Sequence, residues 1–150
     1  MNTIKEQLYQ YCKSYLTERI ASFQAAIEAA RQTASQETKS SMGDKYETTR
    51  AMMQIEIEKN ERQLAETLKL KEVLHKINPK SISTLVALGS LVRTGRGSYY
   101  EGSGLGKVVV DNKPYFVVSP ASPIGQQLMG LKAGDTATHN NNTIDIQEVT

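Results

Sequence analysis

No proline precedes Pro79, and of the ten glycines only Gly43 lies before it. Proline and glycine are the residues that a helix interior tolerates least. The first half of the chain is therefore free to run as two long helices, and few folds accept such a pair. Over residues 4–34 the apolar positions are Ile4, Leu8, Cys12, Tyr15, Leu16, Ile20, Phe23, Ile27 and Ala30. Steps of three and four predict a helix with one apolar face. At 1.5 Å per residue it would be roughly 45 Å long, more than a small domain can cover, so it requires a helical partner. That partner is predicted over residues 44–77. There Met53, Ile57, Asn60, Leu64, Thr67, Lys71 and Leu74 alternate steps of four and three as a heptad seam. The polar connection at residues 35–43 is short, which implies antiparallel packing. The expectation for residues 1–78 is an antiparallel coiled-coil hairpin. Asn60 reads as a register-setting or partly exposed position, and Glu56, Glu58, Lys59, Glu61 and Arg62 as a solvated face.

Asn78-Pro79 ends the second helix, because a residue before proline avoids the helical region. Beyond it the composition turns to β-branched residues and glycine. A strand is predicted over residues 84–92 with a bulge at Gly89-Ser90, then a turn or loop at 93–98 and a short strand at 98–101. Residues 107–110 and 115–118 flank a hairpin turn at Asp111-Asn112-Lys113-Pro114. Residues 135–139 and 143–149 close around Asn140-Asn141-Asn142, where asparagine tolerates left-handed conformations. Between these hairpins lies a short helix with both ends marked. Ser122 can cap it, Pro123 suits the first helical position, Ile124, Leu128 and Leu131 share a face, and Gly130 can end it. Lys132-Ala133-Gly134-Asp135 reads as a tight turn into a strand. The fold class expected is α+β: the hairpin, then a small, mostly antiparallel sheet domain over residues 79–150 with one helix.

Several function classes recede on simple grounds. The net charge of +2 does not mark a dedicated duplex DNA binder, which would show a concentrated basic patch. A lone Cys12 excludes an internal disulfide and a cysteine zinc site, and its place on the apolar stripe reads as a buried thiol. No stretch reaches the ~18 apolar residues of a membrane span. The first residues show no basic-then-apolar signal pattern, so a cytoplasmic location is expected. His75 and His139 have no second ligand nearby in sequence. The segment Gly102-Ser103-Gly104-Leu105-Gly106 lacks the context and lysine of a phosphate loop and reads as a flexible connection. Of Tyr99, Tyr100, Tyr115 and Phe116, strand alternation makes half core.

Two strings carry a resemblance. The first is Ser122-Pro123-Ile124 through Leu128-Met129-Gly130-Leu131-Lys132-Ala133-Gly134-Asp135, and the second is Ala26-Ile27-Glu28-Ala29-Ala30-Arg31. The first resembles the Ser-Pro helix, Gly-Lys segment and Gly-Asp turn of the Gre transcript-cleavage factors. The second is similar to the segment before their hairpin tip. The resemblance implies an FKBP-like C-terminal domain that docks on RNA polymerase, with Ser122, Pro123, Ile124, Gly134 and Asp135 in the motif region. It implies a hairpin that enters the secondary channel and makes indirect contact with the RNA and DNA of the elongation complex. Two acidic residues at the tip would help hold a Mg²⁺ ion in the polymerase active centre, so that the polymerase cleaves its own backtracked RNA. The chain would then be an accessory factor and not an enzyme, with no cofactor of its own, no membrane partner, and a monomeric free state. FKBP-like folds also include prolyl isomerases, but their aromatic pocket includes tryptophan, which this chain lacks.

Mg²⁺ prefers oxygen ligands and is often held by only one or two protein carboxylates. The resemblance places that pair at Asp44 and Glu47, which have the Gre spacing of a Gly-Asp followed by a glutamate three positions on. Glu37 is a more distant candidate. A second register matches Tyr46 and Arg50 to the Tyr and Arg of the Gre second helix. It puts Lys39 and Met42 at the acidic positions and removes the pair. Asp44 with Glu47 also resembles a capping box, and both acids suit the positive end of a helix. The polar stretch before Gly43 is longer than in Gre factors, which leaves open a channel regulator that does not cleave. The heptad seam alone is compatible with a coiled-coil adaptor unrelated to transcription.

Overall fold

The computed structural model describes the backbone of residues 3–37 and 43–150 and the side chains of 3–36 and 47–150. In chain order the elements are α1 (Ile4–Glu37), α2 (Gly43–His75), β1 (Leu91–Thr94), β2 (Gly97–Glu101), β3 (Gly106–Val110), β4 (Lys113–Val118), α3 (Pro123–Leu128), β5 (Thr136–His139) and β6 (Asn142–Val149). A long helical region precedes a six-stranded sheet, so the class is α+β. The chain divides into two compact units: Tyr15–Lys69, and the chain up to Ser14 together with Leu70–Thr150.

In the helical unit the predicted apolar faces are the buried ones. Leu16, Ile20, Phe23, Ile27 and Ala30 are buried on α1, and Ile57, Asn60 and Thr67 on α2. Ile27, Ala30 and Ile57 form one cluster, with Met53 and Leu64 packed against it. Two polar seam residues, Asn60 and Thr67, donate within their own helix. Asn60 Nδ2 donates to the Glu56 carbonyl at 2.8 Å and to Glu56 Oε1 at 3.1 Å. Thr67 Oγ1 donates to the Gln63 carbonyl at 2.7 Å. The ion pair between Arg31 and Glu61 spans 3.4 Å between exposed side chains, so it adds little. Tyr15, expected on the apolar stripe, is 37% exposed. It falls at the stripe's margin beside Leu16, and the Arg19 guanidinium lies 5.6 Å from its ring centre and 5.0 Å from that of Phe23.

In the second unit the strand order is β3-β4-β2-β1-β6-β5. All pairings are antiparallel except β2 with β4. Two hairpins turn on adjacent left-handed residues: Asp111 (φ 52) with Asn112 (φ 62), and Asn140 (φ 52) with Asn141 (φ 63). Such turns match the twist of paired strands, and Asn and Asp tolerate them best after glycine. The first is shorter than expected, since Lys113 and Pro114 already belong to β4.

Two sequence expectations are corrected here. The strand predicted from residue 84 begins only at Leu91. Gly89 takes φ +90, and a turn closes from Ser90 N to the Ala87 carbonyl (3.0 Å) and from Ala87 N to Ser90 Oγ (2.9 Å). Before it, Leu85 makes only an isolated bridge to Lys132. The loop predicted at residues 93–98 is mostly strand. Thr94 pairs with Gly97 across a two-residue turn, and Thr94 Oγ1 donates to the Gly97 carbonyl at 2.8 Å.

The register puts Val92 opposite Tyr99 and Leu91 opposite Tyr100, so these two pairs lie on opposite faces of the sheet. Val86, Val92, Leu128, Ala137, Ile144 and Ile146 form the core under α3, with Tyr99, Ile124, Leu131 and Val149 packed on it. The aromatic alternation is as expected. Tyr100 and Tyr115 are buried, while Tyr99 and Phe116 are half-buried and lie 5.7 Å apart between ring centres.

Candidate functional site

Residues 119–135 form a compact, internally braced surface element. Ser122 caps α3: its Oγ accepts from Gly125 N at 3.1 Å and donates to the Ser119 carbonyl at 2.7 Å. Pro123 takes a first-turn position, where its missing N–H costs nothing. Gly125 is buried against the loop that it follows. A Cβ there would lie 1.8 Å from the Ser119 carbonyl oxygen, so this helix can sit on its own lead-in only with glycine. Gly130, at φ +80, ends the element and donates to the Val86 carbonyl, while Val86 N donates to the Leu131 carbonyl, both at 2.8 Å. The next turn is closed from both sides. Asp135 Oδ2 accepts from Lys132 N, and Asp135 N donates to the Lys132 carbonyl, each at 3.0 Å. Gly134, at φ +94, donates to the Ile146 carbonyl.

The motif residues thus have defined local work. Ser122 and Asp135 fix backbone, Pro123 starts the helix, Gly134 makes the turn, and Ile124 packs on the core. What the element offers to solvent is different: Gln126, Gln127, Met129, Lys132 and Ala133 are exposed. Leu85, 50% exposed, pairs with Lys132 and continues that surface. The braces were legible in the sequence, whereas Gly125 and the exposed residues were not. The brace residues have recognisable turn and cap chemistry, whereas Met129 and Leu85 carry no local signature.

At the start of α2, Asp44 and Glu47 fall within the opening turns of the helix. Helix residues three apart are neighbours on its surface. Because α2 begins at Gly43, Asp44 lies inside the helix and not at the capping position. Glu47 is exposed. The side chains of Glu37 and Asp44 lie outside the described residues, as do Lys39 and Met42. Among the described residues no three His, Cys, Asp or Glu side chains come together as a metal cluster, and no helix is long and apolar enough to cross a membrane.

The sheet unit also buries polar groups that the sequence did not reveal. Glu101 is 0% exposed, and among the described residues neither of its carboxylate oxygens has a hydrogen-bond partner. Burial pushes its pKa up to about 8, so it is a neutral acid at and below neutral pH. Tyr100 Oη is likewise buried, without a partner among the described residues, and the Ser103 hydroxyl is buried beside the Cys12 thiol. Burial raises the Tyr100 phenol, with Cys12 and Tyr9 adding to the effect. Burial also raises the Cys12 thiol, with Ser103 acting in the opposite sense. Cys12 is buried as expected, with 0% exposure. The glycine-rich segment after Glu101 is not a loose connection at its start: Gly102 and Ser103 are buried, and Gly102 N donates to the Val118 carbonyl at 2.7 Å.

The chain matches no protein-family model, no curated protein and no solved structure.

Proposed function

We propose that this chain is a Gre-type factor: it docks on RNA polymerase through its sheet unit and inserts its helical hairpin into the secondary channel. In this reading the helical unit is a coiled coil and the sheet unit FKBP-like. The protein acts in the cytoplasm, is a monomer when free, and stimulates a reaction that the polymerase performs. The observation that carries the reading is the combined architecture. A serine-capped, glycine-seated helix and an aspartate-closed turn follow two helices of 34 and 33 residues, in the order that the resemblance requires.

Asp44 and Glu47 are the proposed working pair at the tip. They fit the chemistry in kind, since both are carboxylates on one short stretch of helix and Glu47 faces solvent. Together they would supply one or two oxygen ligands to a magnesium ion held mainly by the polymerase. That ion, when bound, activates water and stabilises charge on the transferring phosphate. The protein's own task is to carry the carboxylates to the site on a stiff support. A helix pair does this well, because each helix braces the other along a buried seam.

The test is a stalled, backtracked elongation complex given Mg²⁺ and this protein, with RNA length followed on a gel. The active reading predicts shortened RNA with the native chain and at least a hundredfold slower shortening with Asp44→Ala/Glu47→Ala. Competition with a cleaving factor, without shortening, would instead establish a regulator that occupies the channel and does not cleave. The longer polar stretch before Gly43 favours that second reading. Neither effect would leave a coiled-coil adaptor unrelated to transcription.

A further inference from the structure

Lys5 stands in the first turn of α1 and is 8% exposed. Its Nζ donates to the Ser81 carbonyl at 2.5 Å, and among the described residues it makes no ion pair. An ammonium has three protons to donate, so this bond leaves two unused. Burial lowers the Lys5 pKa, as expected for a cation without a counter-charge.

Lys5 borders two cavities. Lys5, Ser81 and Ile82 line both. The first, about 360 Å³, also has Glu6, Lys80 and Arg93 on its lining. Two of these charges are engaged locally, since Glu6 Oε2 accepts from Thr3 N at 3.1 Å and Arg93 lies 3.6 Å from Glu148, and Glu6 brings a negative charge to this lining. The second, about 390 Å³, is different. Lys76, Asn78, Ser83 and Ser90 join Lys5 on its lining, and no acidic residue is among them. The Ser90 hydroxyl accepts from Ala87 N at 2.9 Å, which leaves its own proton to donate. Two lysines, the buried Lys5 and the exposed Lys76, and a serine with a free hydroxyl proton thus line one cavity, and among its described lining residues none is acidic.

We propose that this second cavity is a binding site for a small molecule bearing an oxyanion, a phosphate or a carboxylate, held by Lys5 and Lys76 with Ser90 as a further donor. The start of α1 adds its partial positive charge, which favours an anion beside Lys5. The volume exceeds that of a bare ion and lies in the range of small-molecule sites. An occupant would tie the first turn of α1, the residue after α2 and the segment leading to β1 to one another. This site is independent of the Gre reading, because it involves neither the hairpin tip nor the Ser122 motif.

The experiment is isothermal titration of the full chain with inorganic phosphate and, separately, with acetate, at ionic strength held constant with chloride. Saturable one-to-one binding of either anion is expected, at least tenfold weaker in Lys5→Met and measurably weaker in Lys76→Gln. Phosphate binding without acetate binding assigns a phosphate-bearing ligand, and the reverse a carboxylate. In buffer free of both anions, Lys5→Met should melt no lower than the native chain, since it removes a buried unpaired cation and keeps an apolar stem. If Lys5→Met fails to fold, the exposed Lys76→Gln carries the test alone. No saturable binding of either anion, or undiminished binding in both variants, overturns the proposal.

Discussion

Glu101 shows how far a single residue can stand from what its sequence suggests. It ends a strand, 0% exposed, with both carboxylate oxygens unpartnered among the described residues. Its pKa, raised to about 8 from 4.5 by burial, makes stability depend on pH in a definite direction. Between those two values the native state holds a proton that the unfolded chain has released, so stability falls as pH rises. Glu101→Gln removes the titration. Relative to the native chain it should gain on the order of 1–3 kcal/mol at pH 8 and little or nothing at pH 5. Urea unfolding at the two pH values reads the difference, and an equal effect at both would contradict the buried neutral acid. Gly125 makes the opposite point, that an unremarked glycine can be indispensable. With a Cβ 1.8 Å from the Ser119 oxygen, Gly125→Ala must displace α3 or its lead-in. A loss of about 3 kcal/mol or more is expected by urea unfolding. Neither residue was legible in the sequence. Glu101 follows two tyrosines in a strand of ordinary composition, and Gly125 sits where a helix would normally prefer alanine.

At the scale of elements, local chemistry was most legible where one residue type has one physical use. The Ser122 cap, Pro123, and the turn asparagines Asn140 and Asn141 all took the roles their conformational preferences dictate. Ser122→Ala should cost about 1–2 kcal/mol, because it leaves Gly125 N without its acceptor. The long helices were legible from periodicity alone. The segment at residues 84–90 was not: its β-branched and apolar residues suggested a strand, but Gly89 and the Ser90 hydroxyl turn the chain first. The parallel pairing of β2 with β4 was equally hidden, because strand order depends on tertiary contacts and leaves no local trace. Within α2, Asn60 is 6% exposed and spends its amide on Glu56. Asn60→Leu should stabilise the helical unit by about 1 kcal/mol while loosening the register of the seam. Thermal melting followed at 222 nm checks the gain, and a lowered melting temperature would mean that Asn60 contributes more than register.

For the whole molecule, the proposed function assigns docking to the braced element at residues 119–135 and the support of the tip to the helical unit. The motif residues that suggested the function turn out to hold the element's shape. Met129, Lys132 and Leu85 are exposed there, and under the proposed function they are the residues that polymerase meets. That division explains why the motif could be read from sequence and the exposed residues around it could not: caps and turns use few residue types, whereas exposed positions accept many. It also separates two kinds of variant. Lys132→Glu should weaken binding to polymerase at least tenfold without changing the melting temperature, whereas Ser122→Ala should lower both. The most direct measurement is equilibrium binding of the fluorescently labelled full chain to purified core RNA polymerase, with a Gre factor as competitor. The account predicts saturable binding that the competitor displaces. Absence of binding, or binding that the competitor leaves untouched, would contradict it.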